Sequence, residues 1–202
     1  MKLGVLASGA GTNLQAILDT VHRRDGIEVT GVASDQEGAP ALERARAAGI
    51  DTAVFTAADH PDRAVRDAAV ADWLAEQGAE LVVLAGYMQL LGGAFLARFP
   101  DRVINVHPAL LPAFPGLDPI GEALAYGVKV FGVTVHFVDE GVDSGPVILQ
   151  AAIELPDATD VDEVHDLLRP IEHELLTEAI RLIARGAVTF DPANPRRVVI
   201  AR

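Results

Sequence analysis

The sequence predicts an α/β fold: a mostly parallel, twisted sheet with helices on both faces. Three features lead there. Apolar runs such as Leu3–Ala7 and Leu81–Ala85 lack polar alternation, as strands covered on both sides do. The segments between such runs carry apolar residues at helical spacing, and parallel neighbours need a crossover of that size. A glycine-rich turn follows the first run directly, where an open α/β sheet turns from strand to helix.

In chain order, Leu3–Ala7 leads through Ser8-Gly9-Ala10-Gly11-Thr12-Asn13 into a helix marked by Leu14, Ile17, Leu18 and Val21. Val29–Ala33 is a second strand, Pro40–Ala48 a short helix opened by proline, and Ala53–Phe55 a brief third strand. Asp62–Glu76 spaces Val65, Ala69, Trp73 and Leu74 on a helical face before the strand Leu81–Ala85. This βαβα order makes the N-terminal half Rossmann-like. A short helix near Ala94–Phe99 precedes the strand carrying Asn105 and His107, which Pro108 stops. The proline-rich segment Pro108–Gly116 reads as an ordered surface loop, and Pro119–Tyr126 as a helix ended by Gly127. Val130–Val138 alternates strongly, with Phe131, Val133, Val135 and Phe137 on one face and Thr134 and His136 on the other. Gly141–Gly145 is a turn presenting Asp143 and Ser144 ahead of the strand Pro146–Ile153. Val161–Ala184 forms a long helix with Pro170 expected to kink it, and Val198–Ala201 adds a last strand. No repeat or linker divides the chain, so 1–202 is expected to be one domain.

Composition narrows the function. The formal net charge of -13 argues against a nucleic-acid partner, because such binding draws its affinity from cationic side chains. No window approaches the roughly 20 apolar residues of a membrane span, and no signal-peptide pattern opens the chain, so a cytoplasmic protein is expected. With no cysteine, disulfides, thiolate nucleophiles and Cys-ligated zinc are excluded, and no HExxH pair suggests a metal.

Gly11, Thr12 and Asn13 combine small residues, backbone donors and a helix start, which suits a phosphate group; the competing reading is a plain strand-to-helix turn. The loop lacks the third glycine of the dinucleotide fingerprint, where Leu14 stands, although Asp35 could mimic its ribose-binding acid. Asn105 and His107 alternate along a strand, so both side chains leave on one face at its end. They are either a satisfied polar pair or an amide donor and an imidazole for an oxyanion, with Asp143 as the charge partner of His107. Asp143 could instead hydrogen-bond its own turn. Ser144 lacks a GxSxG elbow and is a poor nucleophile. Gly86–Leu91 is either a loop or, through Tyr87, Met88 and the leucines, part of a pocket for a flat heterocycle. Glu172 and His173 read as solvated, and His136 as structural.

The stretches Ser8-Gly-Ala-Gly-Thr-Asn-Leu14, Leu84-Ala-Gly-Tyr-Met88, Asn105-Val-His-Pro-Ala-Leu-Leu-Pro112, Val133-Thr-Val-His-Phe-Val138 and Asp143-Ser-Gly-Pro146 together resemble the folate-dependent phosphoribosylglycinamide formyltransferases of purine biosynthesis. The resemblance covers nearly the whole chain. It implies a formyltransferase fold with a nucleotide-phosphate-binding half over approximately 1–100 and a catalytic and folate-binding half over 101–202. It implies formyl transfer from 10-formyltetrahydrofolate to the amine of the ribonucleotide without a metal, by a monomer or homodimer. Asn105, His107 and Asp143 fall on the catalytic positions; Gly11, Thr12, Asn13 and Glu172 on the ribonucleotide site; Arg63, Met88, Gln89, Leu90, Leu91 and Asn105 on the folate site. The Asn-x-His-Pro segment is shared more widely among 10-formyltetrahydrofolate enzymes, so a deformylase or a formyltransferase with another acceptor is the alternative, and a non-catalytic nucleotide-binding module a more distant one.

Overall fold

Strands and helices alternate strictly through the first half of the computed structural model, which describes residues 1–201. They are β1 (Lys2–Leu6), α1 (Thr12–Thr20), β2 (Glu28–Ser34), α2 (Pro40–Ala47), β3 (Asp51–Val54), α3 (Arg63–Glu76), β4 (Leu81–Leu84), α4 (Gly93–Arg98) and β5 (Val103–His107). The chain forms two compact units, Met1–Asn105 and Val106 onward. In the first unit the strand order is β3-β2-β1-β4-β5, every neighbouring pair parallel. Leu3, Val5, Leu6 and Leu81–Val83 are fully buried, which explains their unbroken apolar runs.

The order reverses between β1 and β4, so their C-terminal loops flank a topological switch point. Backbone bonds tie the two strand ends together, from Ala85 N–H to the Leu6 carbonyl (2.8 Å) and from Ser8 N–H to that of Gly86 (3.0 Å). Gly11 caps α1 in the left-handed region at φ 73°, and a Cβ there would sit 2.7 Å from the Ala41 Cα. Both backbone and space therefore require glycine at this turn.

The second unit is built on β6 (Val130–Phe137) and β7 (Val147–Glu154), paired antiparallel, with helices α5 (Pro119–Tyr126) and α6 (Val161–Ala184). Two C-terminal strands extend it: β9 (Asn194–Ile200) lies parallel to β7, and β8 (Val188–Asp191) antiparallel to β9. Strand β8 has four residues, too few to show a period in the sequence, and β9 begins at Asn194 rather than at the expected Val198. Thr134 and His136 lie on the face of β6 opposite Phe131, Val133, Val135 and Phe137, and the strand is buried on both faces after Val130. Helix α6 runs through Pro170 and packs on β6, β7 and α5 through residues such as Leu168, Leu176 and Ile180.

Replacing Gly11 by alanine is expected to lower the unfolding free energy by about 2 kcal/mol, from left-handed strain plus the overlap with α2. Urea melts of the Gly11→Ala protein measure this, and a loss of only a few tenths would show that the loop accommodates a side chain without strain.

Candidate active site

Pro108 ends β5, and the chain beyond it is pinned by one buried hydroxyl. Thr134 Oγ1 donates to the Ala109 carbonyl (2.7 Å) and accepts from Leu111 N–H (3.1 Å) and Gln150 Nε2 (2.9 Å). Gln150 also donates to the Leu111 carbonyl at 2.9 Å. The loop after His107 is therefore ordered by β6 and β7 although it contains no regular structure. Sequence reasoning missed Thr134 and Gln150; the available signal was polar residues recurring within otherwise apolar strands.

His107 is buried, and its Nε2 lies 2.8 Å from the Phe114 carbonyl. A carbonyl only accepts, so this nitrogen carries the hydrogen. Nδ1 faces Asp143, 3.5 Å from Oδ2. The other carboxylate oxygen is 3.6 Å from Nε2 of His136, whose Nδ1 donates to the Phe137 carbonyl at 2.8 Å. Asp143 thus lies between two imidazoles that each spend one N–H on a carbonyl, and a second proton on either ring would sit on the nitrogen facing the carboxylate. His136, read from the sequence as structural, contacts Asp143.

One further contact and its own backbone fix Asp143. Gly116 N–H donates to Oδ2 at 2.8 Å, and the residue itself adopts φ 48°, an uncommon conformation for a non-glycine residue. Its turn is anchored where Phe137 N–H donates to the Pro146 carbonyl (2.9 Å), and a Cβ on Gly145 would collide with the Phe137 carbonyl oxygen. Burial disfavours the charged carboxylate, but the polar contact with His136, the Gly116 N–H and the charges of His107 and His136 outweigh it. The pKa of Asp143 consequently lies below the ordinary carboxylate value. Ser144 does not join a catalytic triad, because its hydroxyl donates to Asp139 Oδ1 at 2.6 Å.

In the same unit Glu172 is buried, correcting the reading of a solvated residue. It sits on α6, which is packed against three elements, and its Oε1 is 3.7 Å from His165 Nε2. Burial lowers the pKa of the neighbouring half-buried His173, against the raising influence of Glu172.

The first unit holds the glycine loop and the segment after β4. Gly11 supplies no side chain to cap α1, whose first residues Thr12 and Asn13 follow it directly. Arg44, which the sequence did not single out, donates to the Ala10 carbonyl (2.9 Å) and to Gln15 (2.9 Å), bringing a cation to this turn. After β4, Met88 and Leu90 are exposed while Leu91 is buried. Gln89 directs its amide to Asp35 and Arg66, so Asp35 is engaged there rather than standing clear as a ribose acid. Burial raises the Asp35 pKa, but hydrogen bonds from Ser8, Gln36 and Gln89 bring it below the usual value. Arg63 is half-exposed, 3.6 Å from the buried Asp67.

Known proteins agree with this architecture. The family model for formyl transferase matches residues 1–180. A phosphoribosylglycinamide formyltransferase of Mycobacterium tuberculosis is 42% identical over 188 residues, 93% of this chain and 87% of the relative. One from Bacillus subtilis is 37% identical over 181 residues, 89% and 93% of the two chains. Among solved structures, glycinamide ribonucleotide transformylase 1 from Symbiobacterium toebii aligns over 100% of this chain and 94% of its own, with a TM-score of 0.95 and 48% identity.

The lowered pKa of Asp143 has a stability consequence with a defined sign. In the unfolded chain this carboxyl titrates near 3.9, about its reference value, and in the folded chain below that. Its contribution is fully present above the unfolded pKa and disappears as pH falls through the folded one. The stability difference between the wild-type protein and Asp143→Asn, followed by chemical denaturation from about pH 5 down to about pH 2, should shift against the wild type as pH falls below about 4. A difference independent of pH across that range would contradict the placement of Asp143.

Proposed function

The chain belongs to the formyl transferase family, and from that premise we propose that it transfers the formyl group of 10-formyltetrahydrofolate to the amine of 5'-phosphoribosylglycinamide in de novo purine biosynthesis. The observation that carries the proposal is the seat of Asp143 between His107 and His136, beyond the Asn105-x-His107-Pro strand end. It works as a single formyltransferase domain in the cytoplasm, on small molecules rather than nucleic acid, as a monomer or homodimer.

The amine nitrogen attacks the formyl carbon, and charge grows on the formyl oxygen in a tetrahedral intermediate. Asn105 donates its amide hydrogen to that oxygen, and protonated His107 supplies the positive charge. In the ligand-free arrangement the His107 Nε2–H is given to Phe114, so the formyl oxygen must compete with that carbonyl for it. Such donors accelerate the reaction because they act on charge that exists only near the transition state. Asp143 keeps the imidazole oriented and its charge balanced. Through water it also carries the proton from the attacking amine to the departing N10 as the carbon–N10 bond breaks.

Gly11, Thr12 and Asn13 hold the phosphate at the start of α1, where backbone N–H groups and the helix dipole favour an anion, and Glu172 contacts the ribonucleotide. Met88, Gln89, Leu90 and Leu91 receive the folate heterocycle, with Arg63 for its carboxylates and Asn105 at its formyl end. The exposed side chains of Met88 and Leu90 support that assignment, because large apolar groups left in water at a strand end suit a flat ligand.

Mixed with both substrates, the protein should yield the formylated ribonucleotide with the matching change in folate absorbance. His107→Ala and Asp143→Asn should each slow it on the order of a hundredfold or more while the folded state persists. Folate turnover that ignores the ribonucleotide and releases formate would point to a hydrolase, and normal rates in both variants would remove the site.

A further inference from the structure

Three buried charged side chains in the first unit, Asp35, Arg66 and Asp67, have no part in the chemistry described above. All converge on the segment after β4. Gln89 Nε2 donates to Asp35 Oδ2 (2.9 Å), and Arg66 Nη2 donates to Gln89 Oε1 (3.0 Å). Met88 N–H donates to Ser8 Oγ (2.9 Å), and Gly92 N–H to Asp67 Oδ2 (2.8 Å). The backbone from 88 to 92 is therefore tied at both ends, and its middle is bridged through one amide.

We propose that Asp35, Gln89 and Arg66 are positioning residues, a charge-to-charge bridge that holds Met88–Leu91 in the shape that receives the folate heterocycle. This rests on the reading of Met88–Leu91 as a folate contact, to which Gln89 contributes its backbone while its side-chain amide is spent on Asp35 and Arg66. Chemistry dictates the middle residue. Asp35 only accepts and Arg66 only donates, so the group between them must do both, which an amide does and neither a carboxylate nor a cation can. Glutamate at 89 would face Asp35 with like charge, and lysine would face Arg66. The partners come from residues 54 and 23 positions away, so the bridge fastens the segment to β2's end and to α3 rather than to itself. Arg66 Nε and Asp67 Oδ1 are buried without a hydrogen-bond partner, a cost that apolar packing would avoid. Geometry, more than stability, accounts for keeping these charges inside.

The test compares the wild type, Gln89→Glu, the double variant Asp35→Asn/Gln89→Glu, and Met88→Asp. Gln89→Glu should raise the KM for 10-formyltetrahydrofolate about tenfold, with kcat and the ribonucleotide KM within about twofold, and should speed amide hydrogen exchange across 86–92. The double variant exchanges amide and carboxylate between the two positions at unchanged charge, and should return both readouts to wild-type values. An unchanged folate KM in Gln89→Glu, or no recovery in the double variant, overturns the bridge. If Met88→Asp raises the folate KM while Gln89→Glu does not, the bridge is wrong and the folate contact stands. If neither variant changes it, both are wrong. Should Gln89→Glu not fold, the charge-balanced double variant decides alone: a wild-type folate KM supports the bridge and a raised one overturns it.

Discussion

The second unit depends on keeping one carboxylate ionised out of water. Asp143 is mostly buried, and a buried carboxylate persists as an anion only where donors and positive charge replace the lost solvent. The chain meets that demand with His107, His136 and the Gly116 N–H, drawn from a strand end, a second strand and a loop. The Phe114 and Phe137 carbonyls then determine which imidazole nitrogens remain to face Asp143. Each ring is thus held from both sides, by a backbone carbonyl and by the carboxylate, and the course of the loop through Phe114 matters for His107.

That course is set by Thr134. A hydroxyl that donates once and accepts twice has no capacity left, and the three groups it satisfies lie on the loop and on β7. Valine has nearly the same shape but would strand Leu111 N–H and the Ala109 carbonyl in a buried setting. The polar residues of β6 therefore have different tasks: Thr134 holds the loop, and His136 holds the carboxylate. An apolar strand with two polar residues two positions apart is the local trace of this division.

The fold was largely legible because its signals are local. Unbroken apolar runs, helical spacing in Arg63–Glu76 and Val161–Ala184, and the glycine at position 11 each follow from a few neighbouring residues. Asn105, His107 and Asp143 were legible as a candidate set because the motif places two of them two residues apart. The contacts of His136 and the burial of Glu172 were not, since both depend on which elements cover β6 and α6. The same limit applies to Gln89, whose two partners lie far away in sequence and whose meaning changes once they are known. Strand β8 escaped for another reason: four residues carry too little pattern to separate a strand from a turn.

Net charge and local charge must be kept apart in a protein of this composition. A chain at -13 would repel a phosphate if only the total mattered, yet at physiological salt an exposed charge is felt over about 8 Å. At the glycine turn the groups of opposite sign to a phosphate are backbone N–H donors at the start of α1 and the Arg44 guanidinium bonded to the Ala10 carbonyl. The turn thus carries helix-start donors and a nearby cation on an acidic protein. The opposite holds around Asp35, where an interior acid is held by donors and none of its charge is offered to solvent. Sign, burial and hydrogen-bond direction at each position, rather than the sum over the chain, decide where an anionic or an uncharged ring can settle.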